Sequence, residues 1–541
     1  MLWLTATAGL ATLLPRPGSA GSDGAGARAH QCSTPQSAVA LTRYGKVRGY
    51  VDDGVLIFKG IPYGQNTGGE NRWLPAKPPT AWEGERPALV YGANCPQSLH
   101  DFTAVEQSFL QQWTDGYLSE DMLKLNIWTP SLSGSRPVMF YIHGGGYSFG
   151  SSYELAAHDG AQMARHHDVV QVSVNHRLNA LGFLDVSAMG GEAYAESGNV
   201  GMTDLVAALR WVRDNIAHFG GDPDRVMIYG QSGGGSKVTT LMGMPSAAGL
   251  FHRAAVQSGG GGNPPTSEQA QALTRQVMVE LGLQRDDIDS LRRIDWAVLN
   301  RAGTAAIAKL NPPPRGFGIG SPPDPQPRVG WAPILDGRAV TTRAFFEEAP
   351  EMSKQIPLLI GSVSEEGNRM SSHPTREQWQ AGLARSLGEA KAAALVAAMI
   401  QAHPEKSIRT LSYAVGGVGQ RNSVQRLAKM HYMLHGAPVY QYYFTWQSPM
   451  LEDAGAWHTA ELAFCFDNTE RCRQGTGNTP QAQTLARKMA SAWANFARTG
   501  NPSQPGLQWT PADPMRGQTM VFDNDCRMVD DPEAALRRML L

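Results

Sequence analysis

Cysteine is scarce: the 541 residues carry five, Cys32, Cys95, Cys465, Cys472 and Cys526, too few for a disulfide framework to be the main source of stability. None is spaced as a zinc CxxC pair, and none is offered as a nucleophile. Net charge is nearly absent as well. The 47 Lys plus Arg stand against 48 Asp plus Glu, a formal charge of -1, so no overall field attracts nucleic acid or anionic lipid. Apolar runs are short. None approaches the ~18 residues that a membrane helix requires, which leaves no integral membrane segment. Internal repeats and collagen triplets are missing too.

What is there points to a folded enzyme-sized chain. Apolar residues make up 42% and charged residues 18%, enough for a substantial core and too little charge for bulk disorder. Length alone predicts three or four domains at about 150 residues each, with large α/β enzymes as the common exception. The 59 glycines and 35 prolines imply many tight turns and long loops over a scaffold.

The stretch Leu2–Leu14 is apolar, too short to span a bilayer, and precedes a small-residue segment around Gly18-Ser19-Ala20. It reads as a signal-peptide core and cleavage site, which makes residues 1–30 a leader and predicts a secreted or periplasmic protein. Export would let a small disulfide loop persist between Cys465 and Cys472; two unpaired thiols are the alternative. His431 and His435 have the i, i+4 spacing of a metal pair. With no HExxH glutamate between them and no third ligand, they read as helix-surface residues. Arg165-His166-His167-Asp168 reads as a solvated helix end.

Short β-branched or aromatic runs predict strands at Val55–Phe58, Leu123–Trp128, Val138–Ile142, Val169–Val174, Val226–Tyr229, Leu358–Ile360 and Val439–Phe444. Their continuous apolar character fits strands buried on both faces. Helical spacing is clearest over Asp204–Phe219, with Leu205, Leu209, Val212 and Ile216 on one stripe, and over Pro480–Ala497. Strands alternating with helices predict an α/β fold with a mostly parallel sheet covered on both sides. Asn311–Gly330, with seven prolines and four glycines, is expected to be a long surface loop rather than a domain linker.

Two strand ends carry chemistry. Val226–Tyr229 runs into Gly230-Gln231-Ser232-Gly233-Gly234 and then a helix, the strand, sharp turn and helix that a GxSxG nucleophile needs. The glycines allow a strained turn that projects the Ser232 hydroxyl, and the helix N-terminus offers N–H groups where negative charge develops. Val138–Ile142 ends in His143-Gly144-Gly145-Gly146-Tyr147, where three glycines let backbone amides approach a carbonyl oxygen unobstructed.

With Phe58-Lys59-Gly60-Ile61-Pro62-Tyr63, Ser119-Glu120-Asp121-Met122-Leu123-Lys124-Leu125-Asn126, Gly198-Asn199-Val200-Gly201, Phe219-Gly220-Gly221-Asp222-Pro223 and Val256-Gln257-Ser258-Gly259, these motifs resemble the type-B carboxylesterase/lipase family. That group of α/β-hydrolases includes cholinesterases, liver carboxylesterases and bacterial para-nitrobenzyl esterases. The likeness runs from about residue 36 to the C-terminus, and it implies one α/β-hydrolase catalytic domain over 31–541 with long loop and helical insertions. It implies a Ser, Glu, His triad: Ser232 as nucleophile, Glu366 in Ser364-Glu365-Glu366-Gly367 as the acid, with Glu365 the fallback if the turn slips by one. His458, in Ala456-Trp457-His458-Thr459-Ala460-Glu461-Leu462-Ala463-Phe464, is the base. The oxyanion hole falls to Gly145, Gly146 and Gly233. No metal or organic cofactor is implied, and the partner is a small-molecule ester.

Departures from the family pattern carry their own expectations. Gln231 stands where the family commonly has Glu, which weakens attraction for a cationic alcohol and disfavours choline esters. Met122 replaces the cysteine that pairs with the counterpart of Cys95 in animal members, leaving Cys95 free or paired with Cys32. The Gly259–Gly262 run lies where the family builds part of its acyl pocket and places no bulky wall there, unless neighbouring loops fill the space. Trp113 either lines the gorge or packs in the core. The function expected is serine-dependent hydrolysis of neutral, fairly bulky carboxylic esters through an acyl-enzyme. The alternatives are lipase-like activity, an esterase for aryl, feruloyl-type, xenobiotic or toxin esters, and a non-catalytic binding protein.

Overall fold

The computed structural model describes residues 31–34, 36–98, 106–311, 328–367 and 373–541. The leader at 1–30 and most of the proline-rich 311–330 segment lie outside the described residues.

Among the described residues fifteen strands form two sheets. In chain order they are β1 (Gln31–Cys32), β2 (Val39–Thr42), β3 (Gly45–Arg48), β4 (Tyr50–Asp52), β5 (Val55–Pro62), β6 (Glu85–Pro87), β7 (Lys124–Thr129) and β8 (Arg136–Ile142). They continue with β9 (Val170–Val174), β10 (Gly221–Gln231), β11 (Arg253–Gln257), β12 (Leu358–Val363), β13 (Val439–Phe444), β14 (Gln518–Phe522) and β15 (Arg527–Asp530). A small sheet holds β2, β3 and β6; the other twelve make one sheet in the order β1-β4-β5-β7-β9-β8-β10-β11-β12-β13-β14-β15. Its centre from β9 to β14 is parallel and its flanks are antiparallel.

All seven expected strands are present, and the central ones are buried along their whole length, as a sheet covered on both faces requires. The helix expected from Asp204 begins four residues earlier, at Val200, and passes into a 3-10 turn at Ile216–Phe219 that ends on Gly220 in the left-handed region, φ 72°. Asp204 is an interior residue: its carboxylate is wholly buried and takes a forked contact from Arg177, 2.6 and 2.8 Å, the geometry that satisfies a buried charge pair. The helix Pro480–Thr499 starts on its Thr479 cap and ends on Gly500 at φ 79°.

Topology places the site. The chain leaves β8 for β9 on one side and returns to β10 on the other, so the strand order reverses between β8 and β10, and ligand crevices in open α/β sheets form at the C-terminal ends of such strands. Register pairs Tyr229 with Tyr141 and Gly230 with Ile142, which sets the Ser232 turn level with the His143–Gly146 loop. β12 and β13 are parallel neighbours on the same side, so the turns after them face the same end.

Of the alternatives left open for the cysteines the unpaired one holds, and the helix-surface reading of His431 and His435 is corrected. Cys465 and Cys472 are unbonded thiols, as are Cys32, Cys95 and Cys526. Cys465 Sγ turns toward Leu462 O at 3.6 Å and Gln257, and Cys95 Sγ accepts the Leu178 N–H at 3.2 Å; each faces a neighbour other than a second sulfur. His431 is not on a helix surface: it is buried on the helix Ile408–Tyr432, stacked on Phe345, and burial pulls its imidazole below the usual histidine range. His435 lies past the helix end and is exposed.

Candidate active site

Ser232 sits between β10 and the helix Gly233–Met242 at φ 58°, ψ −124°, a backbone state that costs on the order of 1–3 kcal/mol and persists only where its surroundings impose it. They do so from both sides. The Ser232 N–H donates to Gln257 O at 2.7 Å, and Ser232 O accepts the Ser236 N–H at 3.1 Å. A Cβ on Gly230 would lie 2.6 Å from Ile142 O, and one on Gly234 only 2.1 Å from the same oxygen. The elbow is thus pressed against the end of β8, and only glycine fits.

The loop after β8 meets the elbow directly. A Cβ on Gly233 would fall 2.4 Å from Gly146 N, so the first residue of the helix and the third glycine of the loop are in backbone contact. Gly145 and Gly146 take φ +77° and +61°. Gly145 O accepts the Ser148 and Phe149 N–H groups at 3.2 and 3.3 Å, which closes the loop on itself.

The acid turn follows β12. Glu366 is fully buried; its Oε1 accepts the Val363 N–H at 3.2 Å and its Oε2 lies 2.5 Å from His458 Nδ1. It is Glu366 and not Glu365 whose carboxylate reaches the imidazole. Glu365 points elsewhere: Oε1 takes Lys406 Nζ at 2.8 Å, and Oε2 takes the Ala456 N–H at 2.7 Å and the Ser364 hydroxyl. The Glu365 N–H in turn donates to Ala456 O at 3.1 Å. That two-way clasp ties the acid turn to the segment that carries His458. A glycine of the helix Ile408–Tyr432 lets it come close, since a Cβ on Gly417 would lie 2.0 Å from Ser364 O.

Ser232 and His458 are not hydrogen-bonded to each other. The neighbour of the serine fills that role, with Gln231 Nε2 3.2 Å from His458 Nε2 and 3.4 Å from Nδ1. This contact holds the elbow and the imidazole side by side. One turn past the histidine, Glu461 is fully buried and reached by Gln257 Nε2 at 3.4 Å. Burial, and then the charge of Glu366, push its carboxyl up to about 8, so at neutral pH it is largely protonated and adds little negative charge beside the imidazole.

The glycine run at Gly259–Gly262 is mostly taken up by packing. Cβ atoms on Gly259, Gly260 and Gly261 would meet Ser232 O at 2.3 Å, Leu427 Cδ2 at 2.5 Å and Phe345 O at 2.3 Å; only Gly262 faces open space. A cavity of about 100 Å³ remains beside Gly261, Gly262 and Pro264, walled by Tyr147, Ser236 and Thr240. Trp113 is half-buried, its Nε1 on Asp115 Oδ1 at 2.7 Å and its ring tilted on Phe149. Met122 is buried and accepts the Thr67 hydroxyl on sulfur at 3.5 Å.

Two buried titratable side chains escaped the sequence reading. Lys237, fully buried on the helix after Ser232, places Nζ 3.0 Å from His143 O, and burial lowers its ammonium to about 7. Glu154 is fully buried nearby, its carboxyl pushed up to about 8 by burial. The available signal was spacing: Lys237 lies one helical turn beyond Gly233 and Gly234, on the face that must pack against β8.

Comparison with known proteins gives a consistent set of likenesses. The family described as the carboxylesterase family matches residues 36–536. A para-nitrobenzyl esterase of Bacillus subtilis is 32% identical over 511 residues, covering 93% of this chain and 98% of that protein. A phenmedipham hydrolase of Pseudarthrobacter oxydans is 33% identical over 489 residues, with 87% and 92% covered. Among solved structures, an esterase from the anaerobe Clostridium hathewayi that can hydrolyze aliphatic aromatic polyesters superposes with a TM-score of 0.81 at 34% identity, covering 94% of this chain and 99% of that one.

Proposed function

The chain belongs to the carboxylesterase family of α/β-hydrolase fold and is a carboxylic ester hydrolase, and from that premise we propose that Ser232, His458 and Glu366 are its catalytic triad and that the N–H groups of Gly145, Gly146 and Gly233 are its oxyanion hole. The observation that carries the assignment is the 2.5 Å contact of Glu366 with His458 Nδ1, on an imidazole that borders the strained Ser232 elbow through Gln231.

The roles follow from the chemistry. Glu366 keeps the proton on Nδ1, which leaves Nε2 free to take the Ser232 proton as Oγ attacks the ester carbonyl. Nucleophile–base contacts of this kind are often long before substrate binds and tighten in the substrate complex. The tetrahedral oxyanion lies against the glycine amides, where loss of one donor typically costs on the order of 3 kcal/mol. Collapse expels the alcohol with the proton from His458 and leaves an acyl-Ser232; water activated by the same histidine releases the acid.

For substrate we propose neutral, fairly bulky esters. The support is the uncharged Gln231 beside His458, the buried Glu461 whose carboxyl is pushed up to about 8, and relatives named para-nitrobenzyl esterase and phenmedipham hydrolase. Bulk is placed on the alcohol side, because the acyl-side glycines are largely packed. We read 31–541 as one catalytic domain, supported by a sheet that threads from Gln31 to Asp530, and 1–30 as an export leader. Among the described residues no helix is long and apolar enough to cross a membrane. Ser232→Ala should abolish para-nitrophenyl ester hydrolysis and organophosphonate labelling with little change in Tm. Turnover retained by that variant would exclude Ser232.

A further inference from the structure

Lysine is the side chain least expected on a wholly buried helix face, because removing an ammonium from water costs several kcal/mol unless close partners replace the lost hydration. Lys237 occupies such a face with 0% exposure. Its Nζ donates to His143 O at 3.0 Å and reaches Gly144 O at 3.4 Å, and it stands 5.6 Å over the Tyr147 ring. All three partners belong to one segment, residues 143–147. His143 Nδ1, 3.1 Å away, shares the Gly144 carbonyl; burial and then the nearby Lys237 hold that imidazole neutral. No salt bridge joins Lys237 to Glu154 among the described residues, although the opposite charge of Glu154 favours the ammonium.

A trans peptide is planar and its C=O and N–H point in opposite directions. Pulling the Gly144 carbonyl toward Lys237 therefore turns the Gly145 N–H to the other side of the loop. The same pull on His143 O turns the Gly144 N–H outward. Gly145 and Gly146 are both at positive φ; the next peptide is held separately, because Gly145 O accepts the Ser148 and Phe149 N–H groups, so the Gly144–Gly145 peptide is the one that Lys237 reaches. On the assignment of Gly145 as an oxyanion donor, we propose that Lys237 is a positioning residue that sets the orientation of the Gly145 N–H by gripping the Gly144 carbonyl of the same peptide and the His143 carbonyl before it.

The grip comes from the helix that carries the nucleophile. Lys237 thus couples two elements that must be placed together, the serine elbow and the donor loop, in a single side chain. An apolar residue at 237 would pack on the same face but remove the Nζ donor from both carbonyls, leaving the Gly144 carbonyl to His143 Nδ1 alone.

The test is Lys237→Met, which keeps the stem and removes the donor, with Lys237→Gln as a second variant whose amide is one bond shorter. Wild-type labelling by an organophosphonate at Ser232 is established first; absence of labelling would overturn the triad assignment itself, independently of Lys237. Given labelling, Lys237→Met should lower kcat by about 10- to 100-fold, less than the loss of a donor itself, with KM nearly unchanged. Affinity for a trifluoromethyl ketone, which forms the oxyanion, should fall in parallel with kcat, and the infrared carbonyl stretch of a slowly deacylating acyl-enzyme should rise. Lys237→Gln should fall between wild type and Lys237→Met. Unchanged kcat and ketone affinity in folded Lys237→Met would overturn the proposal. Recovery of kcat in the double variant Lys237→Met/Glu154→Gln would also overturn it, by showing that Lys237 only balances the Glu154 charge; so would failure of both single variants to fold.

Discussion

The adjacent glutamates 365 and 366 should fail in opposite ways when each is changed to Gln. Glu366 has no exposure and holds His458 Nδ1 at 2.5 Å. Its amide variant keeps the volume but offers no charge to the imidazolium and can present an N–H to Nδ1, which favours the unproductive tautomer. A triad acid changed to its amide in this manner costs about 10,000-fold in kcat, or about 5.4 kcal/mol at 1.36 kcal/mol per decade, with little effect on folding. Glu365 makes a buried ion pair with Lys406, whose side chain is 16% exposed, and clasps Ala456 from both sides. Removing its charge strands the ammonium, at the low end of the 3–5 kcal/mol typical of a broken buried pair, because the Gln carbonyl still accepts from Ala456. At roughly 2 °C per kcal/mol for a chain larger than 200 residues, Tm should drop on the order of 5 °C while kcat changes about 10-fold or less. The assay is para-nitrophenyl ester turnover well below the transition, beside circular-dichroism melts of both proteins. A larger loss of turnover in Glu365→Gln than in Glu366→Gln would refute the register of the acid turn.

Three other outcomes are expected. Gln231→Glu puts a carboxylate within about 3.3 Å of both imidazole nitrogens, so the acid limb of the kcat/KM profile should move to higher pH by about 1 unit or more, and the ratio of choline-ester to neutral-isostere hydrolysis should rise; an unmoved limb with unchanged selectivity counts against charge at 231 as a determinant. Glu461 has its folded value raised from 4.5 to about 8, so its contribution to stability is fully present below about 4.5 and is lost as pH rises through about 8. Glu461→Gln, neutral throughout, should therefore gain in Tm relative to wild type on going from pH 5 to pH 9, and parallel Tm curves would show that Glu461 does not titrate in that window. A thiol reagent should modify the half-exposed Cys32 and Cys526 in the native protein and all five cysteines after unfolding without reductant; fewer than five would reveal a disulfide.

The fold was legible wherever burial on both faces wrote continuous apolar runs, as in β8, β9, β12 and β13. It was hidden where packing used small or polar residues. β11 reads Arg-Ala-Ala-Val-Gln and is central only because alanines let the sheet and helices close on it. The helix Ile408–Tyr432 buries Gly416, Gly417, Gly419 and Arg421, so no apolar stripe announces it; Gly417 serves the approach to Ser364. His431 looked like a surface residue because spacing alone cannot tell which side of a helix is covered.

The same distinction governs the site. GxSxG and HGGG were readable because each demands glycine for a backbone reason that no other residue satisfies, and Glu366 and His458 because family-like neighbours surround them. Lys237 and Glu154 were not readable, since a lone charged residue in sequence is indistinguishable from a solvated one until topology shows what lies over it, and Glu365, read as the alternative acid, turns out to bind Lys406 and Ala456 instead. All three turn out to be buried, and two of them grip backbone carbonyls or amides within the segments that carry Gly145 and His458. Local motifs therefore name the groups proposed to act at the reacting atoms, while the groups that hold those motifs in register are supplied by long-range burial of charged side chains, a property that only the folded chain possesses.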